Sequence, residues 1–186
     1  VMHWPKGFSD EQAGSMRDQF VNVSDIAPTI YDLLGITPPA SYRGAEQMPV
    51  TGHSFVTVLN DASSLAVNTL QYFENSGSRA LVAECDGVWW KAVTKHNMGD
   101  DFDTEPWELY DLSADPSECD NLAESQPDKL AEMVGLWWQE AERHGVLPLD
   151  DRGFELFNHQ LTAHAPHRPD RRYSYRPPMS PIPASA

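Results

Sequence analysis

The chain has 186 residues, with 28 acidic side chains against 13 basic ones and a formal charge of −15, a balance that repels the phosphate backbone and excludes nucleic acid as a partner for its body. Hydrophobic residues make up 40% of it and six are Trp, enough to build a core, while no apolar run approaches the length of a bilayer span, so no integral membrane segment is expected. Cys85 and Cys119 are the only cysteines; neither lies in a C-x-x-C pair or at zinc-finger spacing, which leaves incidental thiols and a disulfide between them both open.

In chain order, Val1-Met2 leads without an initiator Met into His3-Trp-Pro-Lys-Gly7, which reads as a strand running into Trp4-Pro5 and predicts a fragment of a longer protein. A polar loop follows through Ser9 to Met16, then a short extended Gln19-Phe-Val21. Ser24 or Asp25 offers a helix cap, Pro28 falls in the first turn, and Gly35 suits the left-handed end position; Ile26, Ile30, Leu33 and Leu34 share one face, which predicts a buried helix. Thr37-Pro-Pro39 stops it, Gly44 to Gly52 reads as a surface loop, and Ser54 to Leu59 as a short covering helix.

From Thr69 the period changes to that of strands: Leu70–Glu74, Arg79–Glu84, Val88–Thr94 and Trp107–Leu112, with Asn75-Ser-Gly77 and the strong hairpin signal Asp86-Gly87 between them. Ser125-Gln-Pro-Asp128 then offers a cap and a first-turn Pro, and Leu130, Met133, Val134, Trp137, Trp138 and Ala141 form one stripe that ends at Gly145. Such a helix packs across one face of the antiparallel sheet. Three regions are expected: 1–62, the end of a larger α/β domain; 63–151, a small antiparallel sheet of about four strands on a long helix; and 152–186, an extended tail in which Arg168, Arg171, Arg172 and Arg176 lie among Pro166, Pro169, Pro177 and Pro178.

Four motifs in this order carry a family resemblance: His3-Trp-Pro-Lys-Gly7, the segment Gln19–Ile36, Thr51-Gly-His-Ser54 and Trp107-Glu-Leu-Tyr-Asp-Leu112. From Val1 to about Arg152 the chain resembles the C-terminal third of the type I arylsulfatases of the alkaline phosphatase superfamily. The resemblance implies a parent sulfuric ester hydrolase with an α/β fold, acting on small-molecule sulfate esters through a formylglycine nucleophile and a bound Ca2+ or Mg2+. It also implies that both lie in a preceding catalytic part of the same protein, because the C-x-P-S-R segment and the tandem Asp pair of the family are absent here. Neither Cys85, followed by Asp86-Gly-Val-Trp89, nor Cys119, followed by Asp120-Asn-Leu-Ala123, has the Pro and Arg that the modification requires. The fragment alone is expected to be inactive, and no catalytic or metal-binding residue is assigned to it.

Several residues invite more specific readings. Asp150-Asp151 imitates the family's metal-binding pair, but it follows a long helix rather than the first core strand, so pairing with Arg152 is the expectation. His53 reads as a loop-packing residue. His96, at the end of the strand where arylsulfatases present residues to the cleft rim, is the single candidate substrate contact, and Lys91 and Lys95 read as solvated edge charges. The cluster Trp89, Trp90, Trp107, Trp137 and Trp138 fits a sheet-on-helix core better than a binding platform, with one of Trp89 and Trp90 outside it. Two other readings stand beside the sulfatase: a phosphonate monoester hydrolase or phosphodiesterase of the same superfamily, and a non-catalytic interaction module over 63–151.

Overall fold

The structure, a computed structural model, describes residues 1–152 and 175–176. The chain divides into two compact units, Val1–Thr69 and Leu70–Ala186. The boundary falls later than the expected 62/63, because the intervening residues are tied to the first unit: the Gln19 side-chain amide donates to the carbonyls of Ala62 (2.7 Å) and Ser64 (2.8 Å), and the Asn68 amide to Asp25 (2.6 Å). Of the expected tail, only Arg152 and the pair Tyr175–Arg176 fall within the described residues.

In the first unit no strand runs into Trp4-Pro5. The Trp4 carbonyl accepts from the N–H groups of Gly7 and Phe8, at 2.9 and 3.0 Å, which folds the segment into a turn. Gly7 permits it, since a Cβ there would lie 2.0 Å from the Trp4 ring. Residues 19–21 form no strand, and Gln19 sits in a bend. A 3-10 turn over Val23–Asp25, capped by Asn22, runs into α1 (Ile26–Leu34), which ends at Gly35 in the left-handed conformation (φ 63°). A two-stranded hairpin, β1 (Ser41–Tyr42) with β2 (Ala45–Glu46), and the short helix α2 (Val56–Asn60) complete the unit. Arg17 caps the end of α2 by donating to the carbonyls of Val58 (2.7 Å) and Leu59 (3.1 Å).

The apolar face of α1 is not buried as the pattern predicts. Ile26, Ile30 and Leu34 are 49%, 48% and 66% exposed, and the residue that α1 buries is Thr29. Ile26 and Ile30, with the half-buried Leu33, border an open apolar hollow of about 1200 Å³ whose walls include Trp4, Phe8, Val21 and Phe55. The helix is held instead by polar contacts at its start, described below.

The second unit is built as the strand periodicity predicts. An antiparallel sheet takes the order β3 (Leu70–Asn75), β4 (Ser78–Cys85), β5 (Val88–Thr94), β6 (Glu108–Asp111), each strand beside its sequence neighbour. Both tight turns place two residues in the left-handed region: Ser76 and Gly77 (φ 52° and 90°), and Asp86 and Gly87 (φ 54° and 81°). That is the primed-turn geometry that matches strand twist. The register sets Leu81 opposite Ala92 and Ala92 opposite Leu109, so one apolar row crosses three strands. Against this face lies α3 (Pro127–Arg143), burying Met133, Trp137 and Ala141. Pro127 sits in its first turn as expected, but the cap position is Gln126; the Ser125 hydroxyl donates backwards to the Leu122 carbonyl (3.1 Å). Trp90 belongs to the core and Trp89, on the opposite face, does not; Trp107 and Trp138 flank the core. Finally β7 (Leu149–Asp150) pairs antiparallel with β8 (Tyr175–Arg176).

Candidate functional site

The first unit contains one buried carboxylate, that of Asp25, fully shielded from solvent. It accepts the backbone N–H of Asn22 (2.7 Å) and of His53 (2.8 Å) and the amide of Asn68 (2.6 Å). Its neighbour Thr29 donates to the Asp25 carbonyl (2.6 Å) and accepts the Phe55 N–H (3.1 Å). Gly52 completes the joint, since a Cβ there would fall 2.1 Å from the Ser24 carbonyl oxygen. Asp25 thus gives α1 no side-chain cap. It fastens the Gly52-His53-Ser54 loop to the start of the helix. The His53 residue is exposed and its backbone, not its ring, makes this contact.

In the second unit the end of β5 and the loop that follows converge on a cluster of charged groups that alternation does not reveal. His96 is buried, its side chain 1% exposed. Its Nδ1 faces a Glu105 oxygen at very short range, and its Nε2 lies 3.3 Å from the Asp151 Oδ2. The ring stacks on Phe102, 4.2 Å between centroids and 15° between planes. Asp151 also accepts the Gly99 N–H at 2.6 Å. Glu105 pairs on its other side with Arg79, whose guanidinium donates to the Phe102 carbonyl (3.2 Å) and lies 5.2–5.6 Å from the ring centroids of Phe102, Trp107, Trp137 and Trp138. Four charged or titratable side chains from three separated stretches therefore meet under the sheet end.

This geometry revises the expectation of a substrate contact at His96. The strand does end in a loop, but the ring turns inward, and both nitrogens are spent on carboxylates, so it presents no free donor or acceptor. Exposed positions follow it at Asn97, Met98, Asp100 and Asp101. Asp150 and Asp151, adjacent in sequence, part company. Asp150 accepts from the Arg152 N–H (3.0 Å) and Nε (2.8 Å), the expected pairing, and the Arg152 side chain holds its carboxyl below the usual carboxylate range; Asp151 turns into the His96 cluster. Lys91 is not an edge charge, since β5 lies between β4 and β6; its ammonium donates to both oxygens of Glu118 at 2.7 Å. Cys85 and Cys119 are both free.

A divalent cation of the kind the resemblance implies has no fitting donor set here: among the described residues no three His, Cys, Asp or Glu side chains are arranged to hold one. Glu105, His96 and Asp151 come nearest, and they face one another. Among the described residues no helix is long and apolar enough to cross a membrane.

The model of the family described as N-sulphoglucosamine sulphohydrolase, C-terminal, matches residues 1–140. The chain belongs to this family. Its curated relatives include an uncharacterised sulfatase of Schizosaccharomyces pombe, 32% identical over 72% of this chain and 23% of the relative. Arylsulfatase K of Xenopus laevis is 28% identical over 64% of this chain and 22% of its own length. An N-acetylglucosamine-6-O-sulfatase of Bacteroides thetaiotaomicron is 27% identical over 66% and 20%. The chain thus spans between a fifth and a quarter of the length of these relatives. The family match takes in the Asp25 joint, His96, Glu105 and Arg79 and ends within α3, so Asp151 joins the cluster from beyond it.

Proposed function

We propose that this chain is the C-terminal part of a sulfatase that hydrolyses small-molecule sulfate esters, with the nucleophile and a divalent cation supplied by a preceding catalytic part of the same protein. The observation that carries the reading is the family match over residues 1–140, which spans both units. An arylsulfatase-like enzyme with a formylglycine nucleophile and Ca2+ or Mg2+ is the finer form of the proposal, supported by the order of the four sequence motifs. The role of this chain is then to support and border the site. Its buried polar groups are engaged with one another in ways that suit holding loops in place, and neither cysteine lies in a segment fit for conversion to formylglycine.

Expression of the full reading frame beside residues 1–186 alone tests this. Each is assayed with a chromogenic aryl sulfate, 6-O-sulfated N-acetylglucosamine and an aryl phosphonate monoester, with calcium and with magnesium. Sulfate release by the long form alone is expected. Turnover by residues 1–186 refutes the division of labour, and preference for the phosphonate reassigns the enzyme within its superfamily. A full reading frame without nucleophile or Asp pair makes residues 63–151 a non-catalytic interaction module.

A further inference from the structure

Among the described residues His96 alone of the histidines is buried, and both of its ring nitrogens face carboxylate oxygens: Nδ1 that of Glu105, and Nε2 the Asp151 Oδ2 at 3.3 Å. A neutral imidazole has one N–H and one lone pair, so in that form one of the two carboxylates would face a lone pair. The carboxylates themselves are held as acceptors, because Glu105 also takes a hydrogen bond from Arg79 and the same Asp151 oxygen takes the Gly99 N–H at 2.6 Å, contacts that favour the ionised forms. The imidazole lies nearly face to face on Phe102, 4.2 Å between centroids and 15° between planes, which suits a cation over a π face better than two neutral rings. We propose that His96 carries a proton on each nitrogen and works as a proton-operated latch, which fastens the segment after α3 to the β5–β6 loop and releases it when the ring becomes neutral.

The groups that face the ring come from three directions: Arg79 of β4 through Glu105, Glu105 itself ahead of β6, and Asp151 beyond β7. On the ring's own loop Lys95, Asp100, Asp101 and Asp103 are exposed. The β3–β4 turn closes the fourth side without a titratable group. There the Ser78 hydroxyl accepts the His96 N–H at 3.2 Å, and Gly77, at φ 90°, leaves room that a Cβ would take, 2.4 Å from the ring. The segment after α3 is held at two points, by Leu147 and Leu149 in the core and by Asp151 in the cluster. Two buried leucines hold a segment more strongly than one charged hydrogen bond, so loss of the ring proton leaves them seated and frees the Asp151 end together with Gly99. The closed latch binds one proton more than the open one. It is therefore favoured as pH falls and weakens as pH rises through the range in which histidines change charge, by at most about tenfold per pH unit.

Hydrogen–deuterium exchange of the full-length protein tests the latch, followed by mass spectrometry from about pH 5 to 9 and corrected for the intrinsic pH dependence of amide exchange. Protection of the peptide that contains Gly99 is expected to fall roughly tenfold or more across this range, while Leu147–Leu149 and α3 keep theirs. His96→Gln can donate to one carboxylate and carries no charge; its Gly99 peptide should be weakly protected at every pH, with the slope lost. Asp151→Asn keeps an oxygen for the ring and for Gly99 but removes the charge that holds the second ring proton, and should lose protection at a lower pH than the wild type. Protection at Gly99 that is constant with pH overturns the proposal, and so does a slope that survives in His96→Gln. A slope shared equally by Leu147–Leu149 and α3 reports unfolding of the whole unit and overturns it as well. Should His96→Gln fail to fold, the comparison of wild type with Asp151→Asn decides, since identical profiles for the two place the proton outside the cluster.

Discussion

Trp137 is the side chain on which the second unit should depend most. It is fully buried at the centre of the α3 stripe, with its ring centroid 4.8 Å from that of Trp138, edge to face, and 6.2 Å from that of Trp107. Its indole N–H donates to the Phe73 carbonyl of β3 at 3.0 Å, and the Arg79 guanidinium lies 5.6 Å from its ring. Truncation to Ala removes the transfer energy of the ring and leaves a cavity where sheet and helix meet, a change that costs about 3–5 kcal/mol at buried aromatic sites. Against a total stability of about 5–15 kcal/mol, that loss should lower the melting temperature by about 10–20 °C. Trp137→Phe keeps most of the ring but loses the donor, and should cost about 1–2 kcal/mol. Trp138→Ala, on the partly exposed side of the helix, should fall below Trp137→Ala. Urea unfolding followed by near-ultraviolet circular dichroism and Trp fluorescence gives all three values. A Trp137→Ala cost below about 1 kcal/mol would show that α3 is not docked through this residue.

Two further outcomes follow from single groups. Cys119 is exposed, whereas Cys85 is half-buried and its thiol is pushed up mainly by burial; alkylation near neutral pH should therefore label Cys119 first, and equal rates by peptide mass analysis would contradict the geometry. Asp150 is held low chiefly by the Arg152 side chain, and Asp115 by the backbone N–H groups of Asp120 and Cys119. Their contribution is present above the unfolded carboxyl pKa of about 3.9 and is lost as pH falls through the lower folded values, so Asp150→Asn should flatten the fall in urea midpoint below about pH 4, and an unchanged slope would refute the pairing.

The sheet was legible because its information is local. Asp86-Gly87 requires two left-handed residues, and the structure supplies them at φ 54° and 81°. Alternation along Arg79–Glu84 and Val88–Thr94 then decides which side chains face α3, once the turn has set the register. The helix stripe from Leu130 to Ala141 is of the same kind. The strand into Trp4-Pro5 failed for the complementary reason: apolar residues beside a Pro resemble a strand end, but a strand also needs a partner, and the Trp4 carbonyl is taken by the local turn instead. The face of α1 is apolar, as its periodicity indicates, yet exposed within this chain, since periodicity reports which residues share a side and says nothing about what lies against it.

The charged cluster shows where that limit matters for function. His96 and Glu105 are nine residues apart and His96 and Asp151 are 55 apart. A sequence scan weighs each by its own neighbours, so His96 read as a rim residue and Asp151 as half of an acidic pair beside Arg152. Only closure of the sheet on α3 and the return of the chain past Pro148 bring them together. One signal was available beforehand: Arg79 occupies an inward position on a strand whose other inward residues, Leu81 and Ala83, are apolar. A charged residue at such a position must be paired, because an uncompensated buried guanidinium is prohibitive. Its carboxylate partner therefore had to come from a loop near the β4 start, and Glu105, just ahead of β6, lies in one of the few acidic stretches the topology brings there.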